Sequence, residues 1–122
     1  IEVESIRYIC VRADNHALLR NLRTDIAFNI VSMQEMNPDI IAQYFDDMRE
    51  CKSESLYFYC CNRIEKKLPD GTIVRFYDYP WSENDEIILD ELCPWNQSYY
   101  SRRPPFYHNY DGPIQHRIVK MK

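Results

Sequence analysis

Glycine is nearly absent from this chain of 122 residues, which contains only Gly71 and Gly112. Each directly follows an aspartate, a sequence typical of tight turns in which glycine accepts a positive φ. Two isolated glycines cannot form a P-loop, a dinucleotide-binding fingerprint or a nucleophile elbow, because each of these motifs needs glycines at a fixed short spacing. The sequence therefore does not predict nucleotide-driven chemistry.

Long apolar runs are also lacking. No stretch approaches the roughly 20 residues of a membrane-spanning helix, and the first residues do not form the basic-then-apolar leader of a targeting signal. We therefore expect no membrane association. The chain begins at Ile1 rather than at a methionine, which predicts a fragment of a longer protein. With 45% hydrophobic residues, residues 1–122 suffice for one core and are too few for two, so a single domain is expected.

Cysteine and histidine are few and dispersed. The five cysteines are odd in number, which does not fit the disulfide framework of a small secreted domain and favours buried thiols in a reducing compartment. No Cys-x-x-Cys or His-x-x-x-His spacing occurs, so we expect no metal and no cofactor, with a zinc site built from distant residues as the alternative. The residues available for that alternative are Cys10, Cys51, His16, His108 and His116. The histidines have no serine or cysteine at an acyl-transfer spacing, and we do not expect an enzyme.

Hydrophobic periodicity predicts two helices in the N-terminal half. After an alternating segment over residues 1–12, predicted as a strand, apolar residues recur at three- and four-residue steps from Asn15 to Ser32. This recurrence, which predicts the first helix, involves Leu18, Leu19, Leu22, Ile26, Ile30 and Met33. A second helix is predicted to begin at Asn37, with Pro38 in its first turn.

A β-hairpin is the clearest prediction in the middle of the chain. Residues 56–62 alternate in a strand pattern, and residues 72–77 are predicted to return beside them after the Pro69-Asp70-Gly71 turn. Proline presets the first turn dihedral, and glycine accepts the positive φ that follows. On such a strand the adjacent Cys60 and Cys61 would face opposite sides of the sheet.

The remainder is predicted to be extended chain and turns. Residues 76–81 are predicted to continue extended, and a strand over residues 87–92 is favoured over a short helix. Residues 102–105 form a predicted loop, and a terminal strand over residues 114–122 follows the Asp111-Gly112-Pro113 turn. The expected fold class is therefore α+β, a twisted, mostly antiparallel β-sheet flanked by the two helices.

Charge and aromatic residues are unevenly distributed. Residues 94–122 carry five basic side chains and one acidic one, whereas residues 78–91 contain six acidic side chains and no lysine or arginine. Aromatic residues crowd the second half and interleave with Arg102 and Arg103, a pattern typical of nucleic-acid and protein-binding surfaces. The alternative is that a small sheet with few leucines uses these rings as its core.

The predicted hairpin resembles part of the plant NAC transcription-factor domain. Its segments Leu56-Tyr-Phe-Tyr, Lys66-Lys-Leu-Pro-Asp-Gly-Thr72 and Arg75 are similar to the family's Trp-Tyr-Phe-Phe, Lys-Tyr-Pro-Asn-Gly and Asn-Arg segments. Further matches follow in the same order, at Tyr79-Pro-Trp81, at Ser98-Tyr-Tyr100 with the Arg-Arg-Pro-Pro that follows, and at His116-Arg-Ile-Val. The resemblance covers about residues 37–122, and only the hairpin part is specific.

The resemblance implies a DNA-binding domain of a transcriptional regulator. It implies a twisted antiparallel sheet with flanking helices, no cofactor, a nuclear location, a homodimer, and a sheet-edge strand presented to the major groove of double-stranded DNA. The candidate DNA-binding residues are Lys66, Lys67, Arg75, Trp81, Arg102, Arg103, Arg117 and Lys120.

The second hypothesis is a protein-interaction domain with little or no DNA binding. At the groove strand the family reads Trp-Lys-Ala-Thr-Gly, whereas this chain reads Trp81-Ser-Glu-Asn-Asp-Glu86. Acids at that position repel phosphates and release no counterions. Under this hypothesis a degenerate or unrelated α+β domain binds a protein partner through its aromatic half and its acidic edge. The candidate residues are Trp81, Glu83, Asp85, Glu86, Trp95, Tyr99 and Tyr100.

Overall fold

The computed structural model describes residues 10–122, so the N-terminal strand predicted over residues 1–12 lies almost wholly outside the described residues. In this part of the chain the regular elements are one α-helix, α1 (Pro38–Glu50), and eight strands. The strands are β1 (Ile26–Ile30), β2 (Leu56–Arg63), β3 (Glu65–Lys67), β4 (Ile73–Arg75), β5 (Glu86–Leu92), β6 (Ser98–Tyr100), β7 (Tyr107–Asn109) and β8 (Ile114–Met121). Three 3₁₀ segments span Ala13–Asn21, Met33–Glu35 and Phe76–Asp78.

Four of the strands form one sheet in the order β1-β2-β8-β5. The β1–β2 pair is parallel, whereas β8 is antiparallel to both β2 and β5. Helix α1 packs on one face, where Phe58 and Val119 from the two central strands bury their side chains with Phe45 of the helix. The predicted α+β class is therefore confirmed, with the terminal strand in the middle of the sheet.

Helix α1 confirms the second predicted helix. Asn37 precedes the helix with extended backbone, and its carbonyl accepts hydrogen bonds from the N–H groups of Ile40 and Ile41. Pro38 lies in the first turn, where its missing N–H costs nothing. An acidic residue in the first turn and Arg49 in the last turn complement the helix dipole.

The first predicted helix is wrong. Residues 13–21 form a 3₁₀ segment, and Ile26–Ile30 is a strand. The physical reason is that a four-residue step fits both the period of a helix and twice the period of a strand. From Ile26 onward the apolar residues also include Phe28, which makes the pattern alternate every second residue, and β-branched isoleucine favours the strand.

The 3₁₀ segment nevertheless packs against α1 through a buried carboxylate. Asp47 has no exposed side-chain surface, and it accepts a 2.5 Å hydrogen bond from Nε of Arg20. The ring nitrogen Nδ1 of His16 lies 2.5 Å from the other carboxylate oxygen. This ion pair holds the segment before β1 against the helix.

The predicted hairpin is correct in its turn and wrong in its partner strands. Gly71 has φ of +91°, and its N–H donates to the Leu68 carbonyl at 3.0 Å. The strands joined by this turn are the three-residue β3 and β4, whereas the 56–62 strand pairs with β1 and β8. Strand β2 is apolar on both faces, and such a strand is most stable in the middle of a sheet, with long strands on either side.

The other predictions from Arg75 onward are mostly confirmed. Strands β5 and β8 and the loop over residues 102–105 form as expected, and Gly112 has the positive φ of its predicted turn. Residues 76–81 are not simply extended, because Phe76–Asp78 forms a 3₁₀ turn that buries Phe76. Strands β6 and β7 were not predicted.

The cysteines are free thiols among the described residues. Cys60 lies in the main core beneath α1, whereas its neighbour Cys61 packs with Cys93 on the opposite face of the sheet. The predicted opposite orientation of the adjacent pair is confirmed, and the prediction of buried thiols holds for these three. Cys10 is exposed and Cys51 is half-buried.

No helix within residues 10–122 is both long enough and apolar enough to cross a membrane.

Candidate interaction surface

The most exposed group of large aromatic side chains lies around strands β6 and β7. We call residues 98–109 the aromatic hairpin. Its rings and the nearby Trp95 are exposed to solvent, and Tyr100 reaches 82% exposure. The exposed members are Trp95, Tyr99, Tyr100, Phe106 and Tyr107. A cluster of exposed aromatic rings is typical of a binding surface, since burying these rings against a partner removes a large apolar area from water.

Contacts within the hairpin hold the rings in place. Tyr99 stacks on His108 across the strand pair, with ring centroids 5.1 Å apart. On the other side of the hairpin Tyr100 meets Tyr107 edge to face at 5.3 Å. Oγ of Ser98 donates a 2.6 Å hydrogen bond to the Tyr107 hydroxyl. Rings that are already ordered lose little conformational freedom when a partner binds.

Gln97 fixes the hairpin to the end of the sheet. Its Nε2 donates to the carbonyls of Cys93 at 2.8 Å and Ile114 at 2.7 Å, and its Oε1 accepts from the Ile114 N–H at 3.1 Å. Its own carbonyl accepts a hydrogen bond from the N–H of Tyr110. No sequence signal predicts this role, because an isolated glutamine belongs to no motif.

The tip of the hairpin carries two arginines. Arg102 and Arg103 are exposed, as the predicted loop required, and neither forms an ion pair within the described part of the chain. Ser101 shapes the tip by donating from Oγ to the Arg103 carbonyl at 2.7 Å. Residues 98–110 contain no acidic residue. The hairpin therefore presents positive charge beside its exposed rings.

The β3–β4 hairpin projects from the same end of the sheet. The Ile64 N–H, at the start of this hairpin, donates to the Pro113 carbonyl just before β8. Of its three basic candidates, Lys66 pairs with Glu35 at 2.9 Å and Arg75 pairs with Glu65 at 2.8 Å. The third, Lys67, is exposed and has no ion-pair partner among residues 10–122. Among the predicted DNA-binding residues, Lys67, Arg102 and Arg103 are thus the cations at this end that form no ion pair within residues 10–122.

Two predicted DNA-binding residues are part of the core region instead. Arg117 is buried, donates to Asp90 at 2.6 Å, and lies 4.7 Å from the ring centroid of Trp81. Trp81 itself packs edge to face on Phe45, and its Nε1 donates to the Phe76 carbonyl at 2.8 Å. Through these contacts Arg117 and Trp81 hold the sheet to the segment before β5, and neither side chain is free to bind a ligand.

Lys120 lies apart from the basic hairpins. It is half-buried near the C-terminal end of β8, and its Nζ sits 5.9 Å from the ring centroid of Tyr57. This position is on the face of the sheet opposite α1.

The acidic candidates lie at the other end of the sheet from the aromatic hairpin. Glu86 opens β5 opposite Lys120 near the end of β8, and Glu83 is exposed in the preceding turn. Asp85 is different, because only 1% of its side chain is exposed and both its oxygens accept from Arg49, at 2.8 and 2.9 Å. The acidic residues that set this chain apart from the NAC family are thus separated from the available cations.

We expect Asp85 to make stability fall in acid. Burial acts to raise the pKa of this carboxyl, but the hydrogen bonds from Arg49 and from the Ser82 N–H outweigh it, and the pKa lies below its ordinary value. A lowered pKa contributes stability above the unfolded value of about 4, and that contribution is lost as the pH falls through the folded value. Urea titrations at several pH values should show stability declining below about pH 4.

The matched variant is Asp85→Asn. It should cost about 2 kcal/mol at pH 7, because the charge-assisted hydrogen bonds are lost, and it should flatten the decline in acid. Glu83→Gln removes an exposed charge from the same turn and should leave the curve unchanged. A decline in acid that is as steep in Asp85→Asn as in the wild type would show that other groups cause it.

A tyrosine–histidine–glutamate chain crosses the sheet face opposite α1. The Tyr59 hydroxyl lies 3.1 Å from Nδ1 of His116, whose Nε2 lies 3.4 Å from Glu91. Burial raises the pKa of the Tyr59 hydroxyl and, to about 11, that of the neighbouring Cys61 thiol. Neither group is therefore activated as a nucleophile.

The alternative zinc residues do not come together in the described part of the chain, where no group of three or more His, Cys, Asp or Glu side chains is placed to hold a metal.

Comparison of this chain with protein-family models, with curated proteins and with solved structures finds no match. The resemblance to NAC domains stays a prediction.

Proposed function

We propose that this chain is a protein-interaction domain that binds its partner through the aromatic hairpin and Trp95. The observation that carries the proposal is the group of exposed rings, of which Tyr100 and Tyr107 pack edge to face, beside two arginines that form no ion pair among residues 10–122. Tyrosine, tryptophan and arginine are the residues most enriched where interfaces concentrate their binding energy.

The chemistry of the surface supports a particular class of protein partner. Arg102 and Arg103 attract carboxylates, and no acid within residues 98–110 competes for them. The exposed faces of Tyr100 and Tyr107 favour apolar side chains that cover them. We therefore infer a protein segment that combines apolar residues with aspartate or glutamate.

DNA binding by a NAC-like domain in the nucleus is the second candidate. One observation favours it, because the β3–β4 hairpin and the aromatic hairpin project from the same end of the sheet and together offer Lys67, Arg102 and Arg103. The exposed acids Glu83 and Glu86 lie at the opposite end and do not oppose phosphates there.

Peptide selection tests the first proposal. A phage-displayed library of random peptides is selected on the wild-type protein, and the selected peptides are measured against Tyr100→Ala and against Arg102→Ala with Arg103→Ala. We expect peptides rich in acidic and apolar residues, and roughly 30-fold weaker binding to Tyr100→Ala, since a central aromatic residue typically contributes about 2 kcal/mol or more. The arginine pair should mainly slow association and weaken its salt dependence.

Ile87→Ala is the matched control. Ile87 is exposed on the edge strand β5, away from the aromatic hairpin, so its truncation should leave peptide binding unchanged. Selected peptides that bind Tyr100→Ala and the wild type equally would contradict the proposal.

Fluorescence anisotropy with a random-sequence DNA duplex separates the second candidate from the first. If DNA is the ligand, affinity falls linearly on a log–log salt plot, and each of Lys67, Arg102 and Arg103 changed to alanine flattens the slope by about 0.9. If the protein-interaction proposal is correct, the duplex does not bind at low salt while the selected peptides do.

A further inference from the structure

Strand β1 is an edge of the sheet with an open row of backbone groups. Among residues 10–122 its only strand partner is β2. The Asp25 carbonyl accepts from the Tyr57 N–H at 2.9 Å, and the Val31 N–H donates to the Cys61 carbonyl at 2.8 Å, so the odd-numbered residues face β2. Backbone direction alternates along a strand, and the N–H and C=O groups of residues 26, 28 and 30 therefore point away from the sheet.

The same three residues expose apolar side chains. Ile26 is 54% exposed, Phe28 is 68% exposed and Ile30 is 47% exposed. Ile26 and Phe28 also line a groove of about 400 Å³ with Tyr57, Tyr59 and Ile118 on the sheet face opposite α1. The strand Ile26–Ile30 contains no charged residue and no proline. An uncharged apolar edge of this kind readily pairs with another strand.

The opposite edge of the sheet lacks this property. Strand β5 carries Glu86, Asp90 and Glu91, and its pairing with β8 is interrupted between Ile87 and Leu89. Charges and bulges are the usual means by which proteins keep an edge strand from pairing. The two edges are therefore built differently, and within residues 10–122 β1 is the edge without charges or a bulge.

We propose that a second copy of this chain pairs with β1 through its own β1. The side chains that this edge strand exposes on the sheet face opposite α1 read Ile26, Phe28, Ile30, which is the same in either direction. An antiparallel pair centred on Phe28 places Ile26 opposite Ile30 of the partner subunit and Phe28 opposite its own counterpart. A twofold interface requires a surface that is complementary to itself, and this strand meets the requirement.

This pairing joins the two four-stranded sheets into one of eight strands. It supplies hydrogen bonds to the outward N–H and C=O groups of residues 26, 28 and 30 in both copies. Phe28 then packs beside its counterpart on the same sheet face, which removes part of its exposed surface from water. The inference does not depend on the aromatic hairpin, which lies outside strand β1.

Sedimentation equilibrium over a range of concentrations tests the proposal. We expect the full chain to form a dimer. In Phe28→Lys, which places two like charges at the centre of the interface, the dissociation constant of the dimer should rise roughly 30-fold or more. Ile87→Lys introduces the same charge on the other edge strand and should leave the dimer intact. Thermal melting checks that both variants fold. If Phe28→Lys does not fold, Ile26→Lys is used in its place.

Hydrogen exchange of the edge amides provides a second readout. In the dimer the amides of residues 26, 28 and 30 should exchange slowly, and in Phe28→Lys they should exchange fast. A chain that stays monomeric at every concentration would overturn the proposal, and slow edge amides in that monomer would assign the edge to another part of the same chain. A dimer that persists in both Phe28→Lys and Ile26→Lys would place the interface elsewhere and overturn it as well.

Discussion

Replacing Arg117 by alanine should lower the free energy of unfolding by about 3–5 kcal/mol. The arginine is buried on the core face of β8, pairs with Asp90 at 2.6 Å and packs its guanidinium on the ring of Trp81. Its loss leaves a cavity beside the ring and removes the cation that the Asp90 carboxylate faces. Urea denaturation monitored by tryptophan fluorescence measures the change, because Trp81 reports on this site directly.

Arg102→Ala is the matched control for this arginine. Arg102 is exposed at the tip of the aromatic hairpin and has no ion-pair partner in the described part of the chain, so its removal should change stability by less than about 0.5 kcal/mol. Equal losses in the two variants would show that Arg117 does not have the structural role assigned to it.

Phe45→Ala should lower the free energy of unfolding by about 3–5 kcal/mol as well. Phe45 has no exposed surface, and its ring meets those of Phe58 and Trp81 at centroid distances of 5.5 and 5.0 Å. Its ring contacts both the sheet, at Phe58, and the segment before β5, at Trp81. The same urea experiment gives the change, and an unchanged m-value would indicate that unfolding exposes the same surface as in the wild type.

Phe28→Ala removes the same number of atoms from an exposed site. Since Phe28 is 68% exposed, its truncation should cost less than about 1 kcal/mol in the monomer, measured at a concentration below the dissociation constant of the proposed dimer. Comparable losses at Phe45 and Phe28 would contradict the assignment of core and edge.

The turns and the helix could be predicted because their signals are local. Asn37 and Pro38 fix the start of α1 within one turn of chain, and Gly71 and Gly112 mark the positions where φ must be positive. These choices depend on the conformation of one or two residues, and the residue types themselves restrict it.

Strand pairing could not be predicted to the same extent. The turn at Gly71 showed that a hairpin forms, but the length of the paired strands depends on what else competes for β2. That competitor is β8, more than fifty residues away along the chain, and its register with β2 runs from Leu56 opposite Met121 to Arg63 opposite Ile114. No local pattern contains this information.

The sequence identified the candidate site by residue type, and the exposure of each side chain in the structure shows which candidates are available for binding. Tyr99 and Tyr100 are exposed, as an interaction surface requires, whereas Trp81 and Asp85 are occupied by contacts within the domain. Phe106 and Tyr107 were not among the candidates, although both belong to the same aromatic segment. Sequence cannot distinguish the exposed Arg102 from the buried Arg117, because the register of β8 decides which of its residues face the core.

Amide chemical-shift mapping with a peptide selected on the wild-type protein tests the central claim most directly. The proposed function predicts that the largest shifts fall within residues 98–109 and at Trp95, and that Tyr100→Ala abolishes them at the same peptide concentration. Shifts confined to other surfaces, such as the β1 edge or the turn around Glu83, with residues 98–109 unchanged, would contradict it.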